Sequence, residues 1–204
     1  MAYVLGYFAA DGNMLKNKRG AHFIEFKSTD KELIERVRNL LGSDHKLSVL
    51  VPRPKSKHKL LYRLQIGSKE IYNDLIRLGF TPAKSNIMSF PSIKSDLFAD
   101  FVRGYFDGDG HVGLSHYNRK NRGEQLFTTI ISGFTSGSEK FLKVLHEVLK
   151  KYAGIRGGSL YHTAGYHLTF SVKDSEKLLD FLYKNAGNLY LARKREIFNI
   201  YYQK

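Results

Sequence analysis

Two stretches of this chain are apolar on nearly every side. Tyr3, Val4, Leu5, Tyr7 and Phe8 form one, and Phe101, Val102, Tyr105 and Phe106 the other. Neither shows a clean polar stripe, so both read as short helices buried all round rather than helices skirting a core. Small residues recur within each at i, i+4: Gly6 and Ala10, then Gly104 and Gly108. That spacing clears one face of bulk and lets two such helices pack at short range. The expected partner of each is the other.

Elsewhere the polar and apolar positions alternate or recur at helical spacing, in an order that repeats. After the first apolar helix come strand-like segments at about 13–18 and 21–28, then a helix at about 30–41 with Leu33, Ile34, Val37, Leu40 and Leu41 as its stripe. A second hairpin follows at about 45–52 and 59–67, and a helix at about 69–78. The later counterparts are strands near 111–118 and 125–135, a helix near 138–151, strands near 155–163 and 165–172, and a helix near 174–185. Tyr62, Leu64 and Ile66, like Tyr166, Leu168 and Phe170, alternate onto a face expected to be roofed by helices. Arg63, Gln65, His167 and Thr169 then point the other way. The expected fold is α+β, with two pseudo-symmetric αββαββα halves at 1–80 and 98–204 joined by a connector at 81–97 that holds two of the four prolines.

The two apolar helices end alike. Leu5-Gly6-Tyr7-Phe8-Ala9-Ala10-Asp11-Gly12 is answered by Arg103-Gly104-Tyr105-Phe106-Asp107-Gly108-Asp109-Gly110, with the last aspartates 98 positions apart (109 − 11). Gly12 and Gly110 are expected to be the left-handed residues that end the helices, placing Asp11 and Asp109 in the last turn. A carboxylate there faces the negative pole of the helix dipole, at a cost of roughly 0.3 to 1 kcal/mol. The same breach twice in one chain points to a purpose. Two carboxylates brought together by paired helices repel unless a cation sits between them, and an oxygen-lined site with open positions suits Mg²⁺.

These motifs resemble the signature helices of the LAGLIDADG homing endonucleases, in the single-chain, two-motif form. Val4 to Gly12 and Val102 to Gly110 match the nine-letter pattern, and the likeness spans nearly the whole chain. Ala9 departs from the family's first Asp, which Asp107 retains; that acid is not the family's metal ligand. The resemblance implies that Asp11 and Asp109, helped by the carbonyls of Ala10 and Gly108, hold Mg²⁺, with Mn²⁺ or Ca²⁺ able to substitute for binding. It implies a monomer that cuts a long, asymmetric double-stranded DNA target across the minor groove, one strand per half, leaving short 3′ overhangs. The paired sheets would form a saddle along the duplex, with the two signature helices at the central interface. Lys84 and Lys194 stand where the family places a lysine beside the scissile phosphate, though Arg193 or Arg195 can take the second place. A polar residue that organises water falls on Lys27 or Ser28 and on Thr135 or Ser136.

Composition agrees. The formal net charge of +14 favours a polyanionic partner over a neutral metabolite. Arg63 and Gln65 suit guanine and adenine edges in the major groove. His22, Glu25, Thr128, Ser159, Tyr161, His167 and Thr169 are further candidates whose facing depends on strand register; ordinary solvated strand surface is the competing reading. Basic loops at Lys16, Lys18 and Arg19, at Arg53, Lys55 and Lys57, and at Arg119, Lys120 and Arg122 suit phosphate contacts, which set register without reading sequence. Charges that keep a sheet edge soluble are the alternative there.

Several classes are excluded. The chain has no cysteine, so disulfides and thiolate-held zinc are ruled out. No run approaches the ~18 apolar residues of a membrane span, and no signal peptide is visible, so an intracellular protein is expected. Asp107-Gly108-Asp109-Gly110 lacks the further acids of a calcium loop, since His111 and Gly113 fall where ligands are needed. A non-cleaving DNA-binding regulator and an RNA maturase remain as alternatives to an endonuclease.

Overall fold

The computed structural model describes residues 1–54, 57, 59–82, 87–118 and 126–203. The first half runs α1 (Ala2–Asp11), β1 (Gly12–Lys16), β2 (His22–Ser28), α2 (Lys31–Leu40), β3 (Ser48–Leu50), β4 (Leu61–Gly67) and α3 (Lys69–Arg77). After a 3₁₀ turn at Ser95–Leu97 come α4 (Phe98–Asp109), β5 (Gly110–Asn118), β6 (Leu126–Ser136), α5 (Glu139–Ala153), β7 (Ser159–His162), β8 (Tyr166–Phe170), α6 (Val172–Tyr183) and α7 (Ala192–Tyr202). Each half holds one antiparallel four-stranded sheet, in the orders β1-β2-β4-β3 and β5-β6-β8-β7. This is a two-half α+β fold.

Local chemistry sets the element ends. Ser68 and Ser138 cap α3 and α5, their hydroxyls accepting from Ile71 N at 3.2 Å and Phe141 N at 3.3 Å. Gly154, left-handed at φ 67°, ends α5. The helix stripes of Leu33, Ile34 and Val37, and of Phe141, Leu142, Leu145 and Leu149, are buried. Leu64, Ile66, Leu168 and Phe170 are buried on the helix-covered faces of the sheets, as alternation requires.

α1 and α4 cross with their backbones touching. A methyl group on Gly6 would overlap the carbonyl oxygen of Phe101, and one on Gly104 would overlap that of Tyr3. Both contacts obey the offset of 98, so the crossing carries a pseudo-twofold axis. Phe26 and Phe134 occupy equivalent places beneath it. Phe26 stacks on Tyr7 at 6.0 Å and meets Phe8 edge-on at 5.5 Å, and Phe134 meets Phe106 edge-on at 5.5 Å.

Three expectations need correction. Gly12 and Gly110 are extended (φ −78° and −82°), not left-handed. Glycine is needed because a side chain there would strike the rings of Phe8 and Phe106, four residues earlier. The first strand of the second hairpin shrinks from about eight residues to Ser48–Leu50. The second half also gains α7, which the sequence pattern had not revealed. Its buried side follows Leu191, Lys194 and Phe198 at helical spacing, and the lysine interrupts the apolar stripe that would have announced it.

Candidate functional site

The two signature helices end side by side. An oxygen of the Asp11 carboxylate lies 3.1 Å from where a Cβ would stand on Gly108, the residue before Asp109. Asp11 is exposed and Asp109 half-buried, each the last residue of its helix. The Ala10 methyl fills the space that a side chain on Gly108 would need. One small residue and one glycine thus let the two acidic ends converge.

The second strands are keyed to the same place by tyrosines. Tyr7 Oη donates to the carbonyl of Lys27 at 3.0 Å, and Tyr105 Oη to that of Thr135 at 2.8 Å. Burial, aided by Asp11 and Asp109 respectively, raises the pKa of both phenols and keeps them protonated donors. Lys27 and Thr135 are therefore equivalent positions.

Lys194 has an occupation that the sequence did not suggest. It is buried, and its Nζ donates to the carbonyls of Phe106 at 2.5 Å, Asp107 at 3.0 Å, Gly108 at 3.4 Å and Gly110 at 2.6 Å. An ammonium on the last carbonyls of α4 offsets the helix dipole that Asp109 opposes. Burial pulls its pKa down to about 8, against the upward pull of Asp107. His111 on β5 has its own pKa lowered, first by its burial and then by His167 and Lys194. Lys84, its expected counterpart, lies outside the described residues.

Asp107 and Arg103 bind the segment that delivers Lys194. Asp107 Oδ2 accepts from Tyr3 Oη at 2.7 Å and from Leu191 N at 2.9 Å; burial raises its pKa despite these partners. Arg103, itself buried, donates to the carbonyls of Leu189 at 2.8 Å and Leu182 at 3.0 Å and also pairs with Asp100. From the first half, Arg36 donates to the carbonyls of Asn188 at 2.6 Å and Tyr190 at 2.8 Å, and Asp30 pairs with Arg193 at 3.1 Å. Residues 182–193 thus strap the two halves together at the helix crossing.

The register sorts the expected DNA contacts. Lys27 faces Arg63 and Glu25 faces Gln65 across β2 and β4, while Thr135 faces His167 and Gly133 faces Thr169 across β6 and β8. All lie opposite the helix-covered faces. Tyr161 stacks on His167 at 5.1 Å on the same side. His22 and Thr128 are each one residue out. His22 shares the covered face with Ile24 and packs edge-on against Tyr72 at 4.5 Å. Thr128 shares the parity of buried Ile130 and pairs with His116 at 2.9 Å, leaving Thr129 on the open side. Lys16, Lys18, Arg19, Arg53 and Lys57 are exposed. Lys55, Arg119, Lys120 and Arg122 lie outside the described residues. Among the described residues no helix is long and apolar enough to cross a membrane.

The chain matches two family models: a LAGLIDADG-like domain over residues 1–77 and a WhiA LAGLIDADG-like domain over residues 133–194. An uncharacterized protein of Methanocaldococcus jannaschii, MJ0398, is 24% identical over 96% of this chain and 69% of its own length. Among solved structures, meganuclease I-SmaMI bound to uncleaveable DNA is similar with a TM-score of 0.65 at 12% identity, covering 97% of this chain and 87% of that one. The I-LtrWI homing endonuclease bound to target DNA is similar with a TM-score of 0.64 at 13% identity, covering 99% and 88%. With two matched domains, two signature helices crossing at their glycines and a shared two-half architecture, this chain belongs to the LAGLIDADG family.

Proposed function

We propose that this chain is a site-specific endonuclease that cuts double-stranded DNA, one phosphodiester per strand, and leaves short 3′ overhangs. The observation that carries the reading is the convergence of Asp11 on the end of α4 beside Asp109. A protein that merely bound DNA would gain nothing from two neighbouring carboxylates at the negative ends of two helices.

The donor set fits a hard divalent cation. Asp11 and Asp109 offer carboxylate oxygens, and among the described residues no group of three or more His, Cys, Asp or Glu is arranged to hold a metal ion, so two carboxylates are the side-chain ligands on offer. Mg²⁺ suits such a site, since it takes one or two carboxylates and completes its shell with water, substrate phosphate and main-chain oxygens such as that of Ala10. When bound, the cation supplies charge stabilisation at the attacking water and the leaving 3′ oxygen. The Gly108 carbonyl already faces Lys194 at 3.4 Å, which makes it the weaker of the two main-chain candidates.

The protein's own groups orient the reaction. Asp11 and Asp109 each face one strand. Lys194 serves through α4, gripping the carbonyls around Asp109 and fixing where that carboxylate stands. Lys84 is proposed for the first half from its sequence position. The open sheet faces hold the duplex as two arms of a saddle, and the halves 1–80 and 98–204 differ enough in side chains for an asymmetric target. The DNA-bound meganucleases of the same fold support this placement.

A randomised duplex library incubated with Mg²⁺, followed by sequencing of cleaved ends, tests the proposal. Asp11→Asn and Asp109→Asn are each expected to abolish double-strand cleavage while largely sparing binding. Full cutting by both variants would overturn the assigned roles. The match of residues 133–194 to a WhiA LAGLIDADG-like domain favours, as a second reading, a DNA-binding regulator. That protein would select a duplex site yet show no metal-dependent cutting.

A further inference from the structure

Glu25 is out of place on a face built for DNA. It sits mid-strand in β2, between Asn13 and Gln65 on the neighbouring strands, with its side chain 4% exposed. A covered carboxylate must be partnered. Lys27 Nζ meets Oε1 at 2.6 Å, and Arg63 Nη1 faces Oε2 at 3.7 Å. Lys27 and Arg63 stand directly opposite each other in the register, where two like charges repel. One acid, a pleat away, answers both. Arg63 Nε also donates to Ser48 Oγ at 3.3 Å on β3, so its guanidinium has a hydrogen bond on one side and the ion pair with Glu25 on another. The cations remain reachable, their side chains 40% and 31% exposed.

Among the described residues the second sheet has no such triad at the equivalent positions. Gly133 stands at the position of Glu25, Thr135 at that of Lys27 and His167 at that of Arg63, as the register and the tyrosine bonds establish. A side chain on Gly133 would collide with the backbone of Leu168 and crowd the His111 ring. One half carries a linked glutamate, lysine and arginine where the other carries a glycine, a threonine and a histidine.

We propose that Glu25 is a specificity-determining positioning residue that holds Arg63 ready to read a guanine in one half-site only. This rests on the DNA reading given above. Guanine offers O6 and N7 to a guanidinium whose plane is set in advance. An untethered arginine instead finds phosphate, which strengthens binding to every sequence and discriminates none.

The test is selection of bound duplexes from a randomised library by the full chain with Ca²⁺, comparing parent, Glu25→Gln, Ser48→Ala and Arg63→Gln. The parent is expected to select guanine at one position of one half-site, and Arg63→Gln to lose that preference. Glu25→Gln should relax it about tenfold while binding to unrelated duplex holds or strengthens. Ser48→Ala removes the second tether from a half-buried edge position and should relax the same position to a smaller degree. If Glu25→Gln selects the parent's spectrum, or loses affinity equally for all sequences with preferences intact, the residue is merely structural and the proposal falls. A parent that selects no duplex at all would sink the DNA reading itself, an outcome distinct from a selected site that ignores Glu25.

Discussion

Asp174 and Lys194 are both buried and charged, and each is explained by main-chain partners that no motif reveals. Asp174 accepts from the amides of Arg156 at 3.0 Å and Gly157 at 2.9 Å, closing the loop after α5, and lies 3.5 Å from Lys177. Burial pushes its pKa up, but the two amides and Lys177 outweigh it, and the net shift is downward. Removing the acceptor strands two amides, so Asp174→Ala should cost about 2 kcal/mol at pH 7. A lowered folded-state pKa means that this contribution is present above the unfolded value, about 4, and is lost as the pH falls through the folded one. Urea unfolding should therefore show the gap between parent and variant narrowing in acid; an equal gap at pH 7 and pH 3 would contradict the assignment. Neither residue's task was legible in sequence, because both depend on which backbone groups the fold leaves orphaned. Lys194 is singled out by the family resemblance, yet its carbonyl partners lie at the end of α4 and the first residue of β5, 84 to 88 positions away.

At the scale of elements, the paired helices were the most legible feature, because the close approach requires small residues at Gly6 and Gly104 whatever the surroundings. Their role predicts a symmetric response. Gly6→Ala and Gly104→Ala should each destabilise the protein by about 3 kcal/mol or more, since the added methyl meets backbone that cannot swing aside. Gly42→Ala, with nothing near its Cβ position but a φ of 59°, should cost only about 1 kcal/mol. Ala10 and Gly108 make a sharper case. Gly108→Ala places two methyls in one space, and adding Ala10→Gly should restore most of the lost stability, a coupling that thermal unfolding of the four proteins would measure. Additive losses would refute the shared space. Strand facing was harder to read: His22 and Thr128 miss by one residue, and in a period-two element one residue is the difference between core and open face. Gly12 and Gly110 read from the sequence as left-handed helix ends and are extended instead, because sequence does not distinguish a left-handed glycine from one that makes room for a ring four residues back.

The whole molecule is two copies of one design with unequal chemistry. The strap at residues 182–193, the helix α7 and the buried Lys194 reinforce the second half, while the first carries the Glu25 triad. The repeat reveals the shared design, and the asymmetry lies in departures from it, such as Leu5 against Arg103 or Glu25 against Gly133. The net charge of +14 belongs to this scale too, since on the proposed duplex target it would act through counterions released from DNA rather than through any one contact. Each phosphate neutralised contributes about −0.9 to the slope of log affinity against log salt. Lys18 and Arg19, exposed in the β1–β2 turn, are proposed to make such contacts, and Lys18→Ala with Arg19→Ala should reduce the slope by about two without altering base preference. Lys194 separates surface charge from structural charge. At 6% exposure, with its ammonium on the carbonyls of α4, it is not free to neutralise a phosphate and so displaces no counterion from DNA. Lys194→Met should therefore lower the unfolding temperature and leave the salt slope where it was. A slope that falls by about one in that variant would make Lys194 a phosphate contact in the complex and require α4 to surrender its cap on binding DNA.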